Sequence, residues 1–310
     1  MDSKYAKQAE LVIQVMPHVS IEDCFALKGG TAINLFELDL PRISVDIDLT
    51  YTIITDRETT IREINAALER IAGRLTRVGI AAHLSGTNVS RKILCTTADA
   101  AIKIEPNFIL RGTTLPTRRL SASPKTQALF GNAKMQVLSQ PELFGGKFCA
   151  ALDRQHPRDL FDVAQFYMTH TITEEFKRGF LTLALGHNRP LHELLNPILQ
   201  DHREIFVQQF AGMSDTPFTY EEHEATFAHL RNDLLAALTS DDKQHLLDFV
   251  SLEGNPDDFG IDNLSRLPAI AWKQKNLDSL RRSNPEKFAE QRTLLEKLLI
   301  GRQRVSNCIF

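Results

Sequence analysis

The sequence predicts an α/β domain over residues 1–139 followed by a helical domain over residues 140–310, with 140–168 at their junction. Three observations carry this reading. Short period-two runs alternate with helical stripes in the first half, as in a sheet covered by helices. From Ser139 onward the apolar spacing is helical almost to the end. The length of 310 residues is about two domains' worth, and 43% hydrophobic with 24% charged residues excludes a disordered chain.

Residues 4–16 place Ala6, Leu11, Val12 and Val15 near helical spacing, and CFALKGG (24–30) reads as a short strand running into a glycine turn. A helical pattern resumes at TAINLFEL. In 43–53, Ile43, Val45, Ile47 and Leu49 alternate with Ser44, Asp46, Asp48 and Thr50, the period of a half-buried strand. Asp56 caps the next helix, whose stripe is Ile61, Ile64, Leu68, Ile71, Leu75 and Val78. Strand-like runs follow at 80–85, 91–96, 101–110 and 134–138, while 111–133, rich in Gly, Thr, Pro and Ser, reads as loop. Ser139 caps a helix with Pro141 in its first turn, and Pro157 opens the next. Further helices are expected near 173–186, 191–211, 219–239, 241–252 and 263–300.

The formal net charge of −3 excludes a globally basic nucleic-acid coat, but its distribution is uneven. Residues 1–69 carry net −6, residues 70–159 net +9 and residues 160–310 net −6. Cys24, Cys95, Cys149 and Cys308 are scattered without a C-x-x-C pair, which fits neither a disulfide framework nor a zinc site. MDSKYAKQAE lacks a signal-peptide core, and no 18-residue apolar run exists to span a bilayer. A cytoplasmic protein without membrane partners is the expectation. The phenylalanines and histidines of the C-terminal half show no zinc spacing and read as core or surface.

The chemistry concentrates in LKGGTAINLFELDLPRISVDIDL, residues 27–49. Asp46 and Asp48 lie two apart on a strand, so both carboxylates project from one face. They repel unless a cation sits between them, and a hard divalent ion takes one or two carboxylates plus phosphate oxygens. Gly29 and Gly30 form a strand-to-helix turn that lets backbone N–H groups approach a phosphate, and the helix start at Thr31 adds its dipole. In AIKIEPNF (101–108), Lys103 and Glu105 share a face. Glu105 then completes a metal cage, accepts a proton from an attacking hydroxyl, or simply pairs with Lys103. In PELFGGKFCAALDRQHPRDLFDVAQF (141–166), Gly145 and Gly146 beside Lys147 cost about 1 kcal/mol each relative to Ala, which implies close approach of a backbone or ligand. Asp159 and Asp162 share a helix face next to Arg158, either for function or as helix-dipole partners.

Gly-Gly-Thr, R-x-S-x-D-x-D, K-x-E on a strand, E-x-x-x-x-K and a closing R-D-x-x-D together resemble the AbiEii-type nucleotidyltransferase toxins over residues 25–168. The resemblance implies a polymerase-β-like nucleotidyltransferase core followed by a helical domain. It further implies transfer of nucleotides from an NTP with Mg²⁺ or Mn²⁺, in bacterial toxin–antitoxin or phage-defence systems. RNA, with the tRNA 3′ end foremost, is the implied acceptor, and a cognate antitoxin the implied partner. Residue by residue, Asp46 and Asp48 match the metal pair, Glu105 the third acidic position, Lys147 the motif lysine and Asp159 the closing aspartate. Ser44 matches the serine before the metal pair. Gly29, Gly30, Thr31, Ser44, Lys147 and Arg158 are the implied nucleotide contacts. The sequence departs from the wider superfamily in Gly30, where Ser is preferred, and in Glu105, where Asp is commoner. The basic middle adds Arg111, Arg118, Arg119 and Lys125 as expected RNA-phosphate contacts in the loop 111–133. Two other readings stay open: a small-molecule nucleotidyltransferase of the antibiotic type, and a catalytically silent binding module.

Overall fold

The computed structural model describes residues 3–301, so Cys308 lies outside the described residues. The chain divides into two compact units. One holds the residues up to Leu143 together with Arg203–Thr219; the other holds Phe144–His202 and the chain from Tyr220 on.

The first unit is a seven-stranded mixed sheet. Its strands are β1 (Phe25–Lys28), β2 (Asp46–Tyr51), β3 (Ala81–Ser85), β4 (Lys92–Thr96), β5 (Ala101–Asn107), β6 (Arg118–Ser121) and β7 (Lys134–Val137), in the order β3-β4-β5-β2-β1-β7-β6. β2 runs antiparallel to β1 and parallel to β5, with Leu27 opposite Leu49, Asp48 opposite Glu105 and Asp46 opposite Lys103. Because strand side chains alternate, this register sorts the sheet into two faces. Phe25, Leu27, Ile47, Leu49, Tyr51, Ile93, Cys95, Ile102 and Ile104 form one, all buried. Against the sheet pack α1 (Ser3–Val19) and α3 (Arg57–Arg77), which also touch each other. Asp46, Asp48, Lys103 and Glu105 share the opposite, partly exposed face.

Local chemistry explains the element starts. The Asp56 carboxylate accepts the Thr59 N–H at 2.9 Å and opens α3. Lys28 leads into α2 (Gly29–Ala32), which continues without a break into a π-helical turn, Ile33–Glu37, whose first four residues are buried. Ser139 and Glu142 hydrogen-bond across the first turn of α5 (Gln140–Arg154), with Ser139 Oγ donating to Glu142 Oε2 at 3.0 Å. Glu142 also accepts the Thr114 N–H at 2.8 Å, which fastens the stretch before β6 to that turn. Burial pushes the Glu142 carboxyl up, against the pull of these hydrogen bonds.

Residues 111–133 are not a loop throughout. Arg118–Ser121 form β6, antiparallel to β7, and Pro124–Phe130 form α4, with Ser123 as its cap. Four half-exposed edge residues and a seven-residue helix are too short to print a period on the sequence. The basic middle is likewise not one patch. Glu22, 6% exposed, binds Arg70 and Arg74 at 2.5 Å each, Glu69 binds Arg91 at 2.8 Å, and Glu37 binds Arg118 at 2.6 Å. Much of the excess positive charge of residues 70–159 thus neutralises carboxylates of residues 1–69. The segment 203–219 belongs with this unit: the Ile43 N–H donates to the Met213 carbonyl at 2.8 Å and Ser214 Oγ to the Pro41 carbonyl at 2.8 Å.

The second unit is helical. It contains the rest of α5, then α6 (Pro157–Thr169), α7 (Glu174–Leu185), α8 (Leu191–Leu195), α10 (Tyr220–Ala237), α11 (Ser240–Ser251), α12 (Pro268–Ser283) and α13 (Pro285–Leu299); α9 (Arg203–Gln209) lies in the first unit. The helix expected over 191–211 ends at Leu195, two residues before Pro197, and restarts at Arg203. That expected over 263–300 breaks at Asn284, whose side chain caps α13 with Pro285 in its first turn. Phe176, Phe180 and Phe227 are core.

Gly145 is where α5 meets α7: a Cβ there would lie 2.7 Å from the Gly179 carbonyl carbon and the Phe180 nitrogen, both backbone. At Gly146 the nearest atom is Leu183 Cγ at 3.9 Å. Gly145→Ala is therefore expected to lower stability by about 1–3 kcal/mol. Gly146→Ala is expected to hold or gain up to about 1 kcal/mol from helix propensity. Denaturant midpoints of the two variants check the contrast.

Candidate active site

In the first unit the site is built around the turn after β1. Gly29 has φ +71, and a Cβ there would sit 2.6 Å from Asp48 Oδ2. The carboxylate of Asp48 therefore lies directly against the Gly29 backbone, in a space that only glycine leaves open. Gly30 is crowded in the same way: its Cβ would meet Arg42 Nη2 and Ser44 Oγ, each at 2.7 Å. Arg42, 2% exposed, donates from Nη1 to the Ile43 carbonyl at 2.9 Å. Its guanidinium fills the room that a serine at position 30 would need, which accounts physically for Gly30. Thr31 is fully buried and its hydroxyl is turned inward, 3.1 Å from Ser44 Oγ and 2.5 Å from the Asp46 carbonyl oxygen. Thr31 thus fixes the start of β2, and Ser44 is 9% exposed beside it.

The parallel register brings Glu105 alongside Asp48. Its carboxylate is engaged by Lys92 of β4, at 2.9 Å, and not by Lys103 of its own strand. Among the described residues no three His, Cys, Asp or Glu side chains are grouped to hold a metal ion. Asp46 and Asp48 nonetheless suit a hard divalent cation: two oxygen donors on one half-exposed strand face, beside the half-buried glycine turn. Mg²⁺ typically takes no more than one or two carboxylates and completes its shell with water and phosphate.

The sequence profile described as "Nucleotidyl transferase AbiEii toxin, Type IV TA system" matches residues 11–276. The chain belongs to the AbiEii nucleotidyltransferase toxin family. Its fold is similar to that of MenT4, a nucleotidyltransferase toxin from Mycobacterium tuberculosis H37Rv, with a TM-score of 0.59 over 91% of this chain and 96% of that one, at 17% identity. No curated protein sequence matches the chain. The expected α/β nucleotidyltransferase core with a helical C-terminal part is therefore the fold of this AbiEii protein.

The remaining motif residues of the AbiEii chain lie in the second unit. Lys147, 6% exposed, places Nζ 2.6 Å from Asp159 Oδ1 and 3.0 Å from Asp162 Oδ2. Arg154 Nε reaches Asp159 Oδ2 at 2.6 Å from the solvent side. Burial by itself raises the Asp159 carboxyl, but Lys147 and Arg154 outweigh it and hold the group well below the usual carboxylate range. Arg158 follows the His156 N-cap of α6. Asp162, already paired with Asp159 by spacing, completes this cluster together with Arg154, which the sequence did not nominate.

The four cations expected to meet RNA are not equivalent. Arg111 is buried, its guanidinium donating to the Phe108 carbonyl at 3.1 Å, and Arg118 is held by Glu37. Arg119 and Lys125 are exposed, on β6 and α4.

Gly29→Ala forces an L-residue to φ +71 and drives Asp48 aside. The expected result is a loss of about 1–2 kcal/mol in stability together with loss of activity, read by melting and by transfer assay. Asp159 carries a second prediction. A carboxyl held lower in the folded than in the unfolded state contributes stability above its unfolded pKa, near 4, and loses it as pH falls further. Asp159→Asn is expected to cost about 3–5 kcal/mol at pH 7 by leaving Lys147 undercompensated, and to flatten the acid limb below about pH 4. Urea melts at a series of pH values check both.

Proposed function

We propose that this AbiEii protein transfers nucleotides from an NTP to RNA, with the tRNA 3′ end as acceptor, using a divalent metal ion. The observation that carries the reading is Asp46 and Asp48 on one face of β2, with Asp48 laid against the Gly29 turn. In this reading Asp46 and Asp48 hold Mg²⁺ or Mn²⁺. When bound, the ion offsets charge on the NTP phosphates and lowers the pKa of the acceptor hydroxyl.

The chain's own residues do the rest. The Gly29–Gly30 turn is the backbone offered to the triphosphate, with Asp48, Arg42 and Ser44 packed into the space that its missing side chains leave. Thr31 acts by holding the Asp46 carbonyl, which fixes where the Asp46 side chain starts. Glu105 takes the proton of the attacking hydroxyl once the acceptor displaces Lys92, or shares the metal. The family resemblance assigns Lys147 and Arg158 to the NTP; in this chain Asp159 orients Lys147 through its 2.6 Å contact. Arg119 and Lys125 offer exposed, sequence-independent contacts for RNA phosphates.

The test is incubation of the protein with Mg²⁺, each labelled NTP in turn, and total RNA. Label in tRNA is expected; label confined to small molecules, or none, overturns the acceptor. Asp46→Asn and Asp48→Asn are each expected to leave less than about one per cent of the transfer rate, a loss of about 3 kcal/mol or more. Near-normal transfer by either variant removes the metal-pair assignment. Arg119→Ala with Lys125→Ala is expected to weaken RNA binding and reduce its salt dependence by about two counterions, with NTP affinity unchanged. Identical salt slopes would take these two residues out of the RNA site.

A further inference from the structure

The helical unit contains a cleft of ≈ 460 Å³, measured out to its open mouth, between the end of α7, α12 and α13. Its chemistry is unlike that of the sheet. One wall is Trp272, 54% exposed, and Leu277 continues the apolar side. Around them stand three side-chain amides, Asn188, Asn276 and Gln291, none of which makes a hydrogen bond within the protein among the described residues. The floor is Lys273, 8% exposed, whose ammonium donates to the carbonyl oxygens of His187, Asn188 and Arg189 at 2.9, 3.3 and 2.7 Å. Among the described residues no carboxylate lines the cleft. Lys275 Nζ stands over the Trp272 ring, 5.7 Å from its centroid.

We propose that this cleft is a binding site for a single unstacked nucleobase. The ligand must be planar, with a polarisable face for Trp272 and an edge carrying both donors and acceptors for three amides. It must also tolerate, or carry an anion toward, the positive charge of Lys273 and Lys275. A nucleobase bearing a 5′ or 3′ phosphate has all of these properties, and stacking on an aromatic side chain with amide readout of the base edge is how single-stranded RNA is held. The close fit of Gly186 to α12, where a Cβ would lie 2.9 Å from Ala269 Cβ, keeps the end of α7 against α12 and so fixes the depth of the cleft. The site is built entirely from residues of the second unit and does not depend on transfer activity.

Trp272 is the sole tryptophan of the chain, so indole emission reports this cleft alone. The full-length protein is titrated without divalent ion, using red-edge excitation, with single-stranded oligoribonucleotides, the four nucleoside monophosphates and ribose 5-phosphate. Saturable quenching is expected from the bases and none from ribose 5-phosphate. Quenching by the oligoribonucleotide at lower concentration than the monophosphates identifies an RNA strand as the source; equal potency identifies the free nucleotide. Asn188→Leu with Asn276→Leu, at exposed positions and with the tryptophan intact, is expected to weaken quenching about tenfold. Gln291→Leu tests the third amide separately. Asp46→Asn is expected to quench as the wild type does, so loss of transfer and loss of this site are read independently. Absent quenching, equal quenching by ribose 5-phosphate, or quenching unchanged in both amide variants would falsify the proposal.

Discussion

The carboxylate of Asp48 and the backbone of Gly29 occupy space that admits no Cβ between them. Most of the first unit is arranged so that this contact exists. β1 must run antiparallel beside β2 for Lys28 to stand opposite Asp48, and the chain must then turn through a left-handed residue to start α2 at once. Thr31, two residues on, ties the first residue of β2 by its bond to the Asp46 carbonyl. Arg42 closes the structure over Gly30 from the approach to β2. The strand that carries both carboxylates is thereby tied at its first residue and packed at Asp48, while its polar face stays half-exposed. Preorganisation of this kind is what an enzyme needs where charge develops during reaction.

Electrostatics divides between the two units in kind. In the first, carboxylates of the acidic opening segment meet cations of the basic middle, as Glu22 does with Arg70 and Arg74. Such pairs fasten the turn after α1 to α3 and link distant stretches of sequence, so a charge asymmetry along the chain becomes near balance in space. In the second, Lys147 sits between Asp159 and Asp162 with almost no access to water. A buried cluster like this is weak as a source of net stability, since desolvation offsets attraction. It is strong as a means of allowing only one position for the ammonium group.

Features whose cause lies within a few residues were legible in the sequence. Asp56, Ser139 and Pro157 mark helix starts because caps and first-turn prolines act locally, and Asp46 and Asp48 share a face because strands alternate. Features that depend on partners distant in sequence were not legible. Arg42 stands in plain view within R-x-S-x-D-x-D, yet its place over Gly30 follows only from how β2 approaches α2. Lys103 is the obvious partner for Glu105 along the strand, but the antiparallel neighbour β4 delivers Lys92 instead. β6 and α4 escaped because an edge strand of four residues exposes alternate positions on both sides of any hydrophobicity threshold. The asymmetry between Gly145 and Gly146 was equally invisible, since only the path of α7 distinguishes them.

The return of residues 203–219 to the sheet-bearing unit bears on how such a protein can be inherited and dissected. A gene cut near the end of the sheet would deliver a helical half carrying the strip whose Met213 carbonyl receives the Ile43 N–H, and a sheet half lacking it. Neither piece is a cassette. Recombination can exchange the helical unit without the strip only through three junctions, after Leu143 and on either side of residues 203–219. Limited proteolysis between the units would leave fragments that remain associated through the strip, since its partners Pro41 and Ile43 stand just before β2.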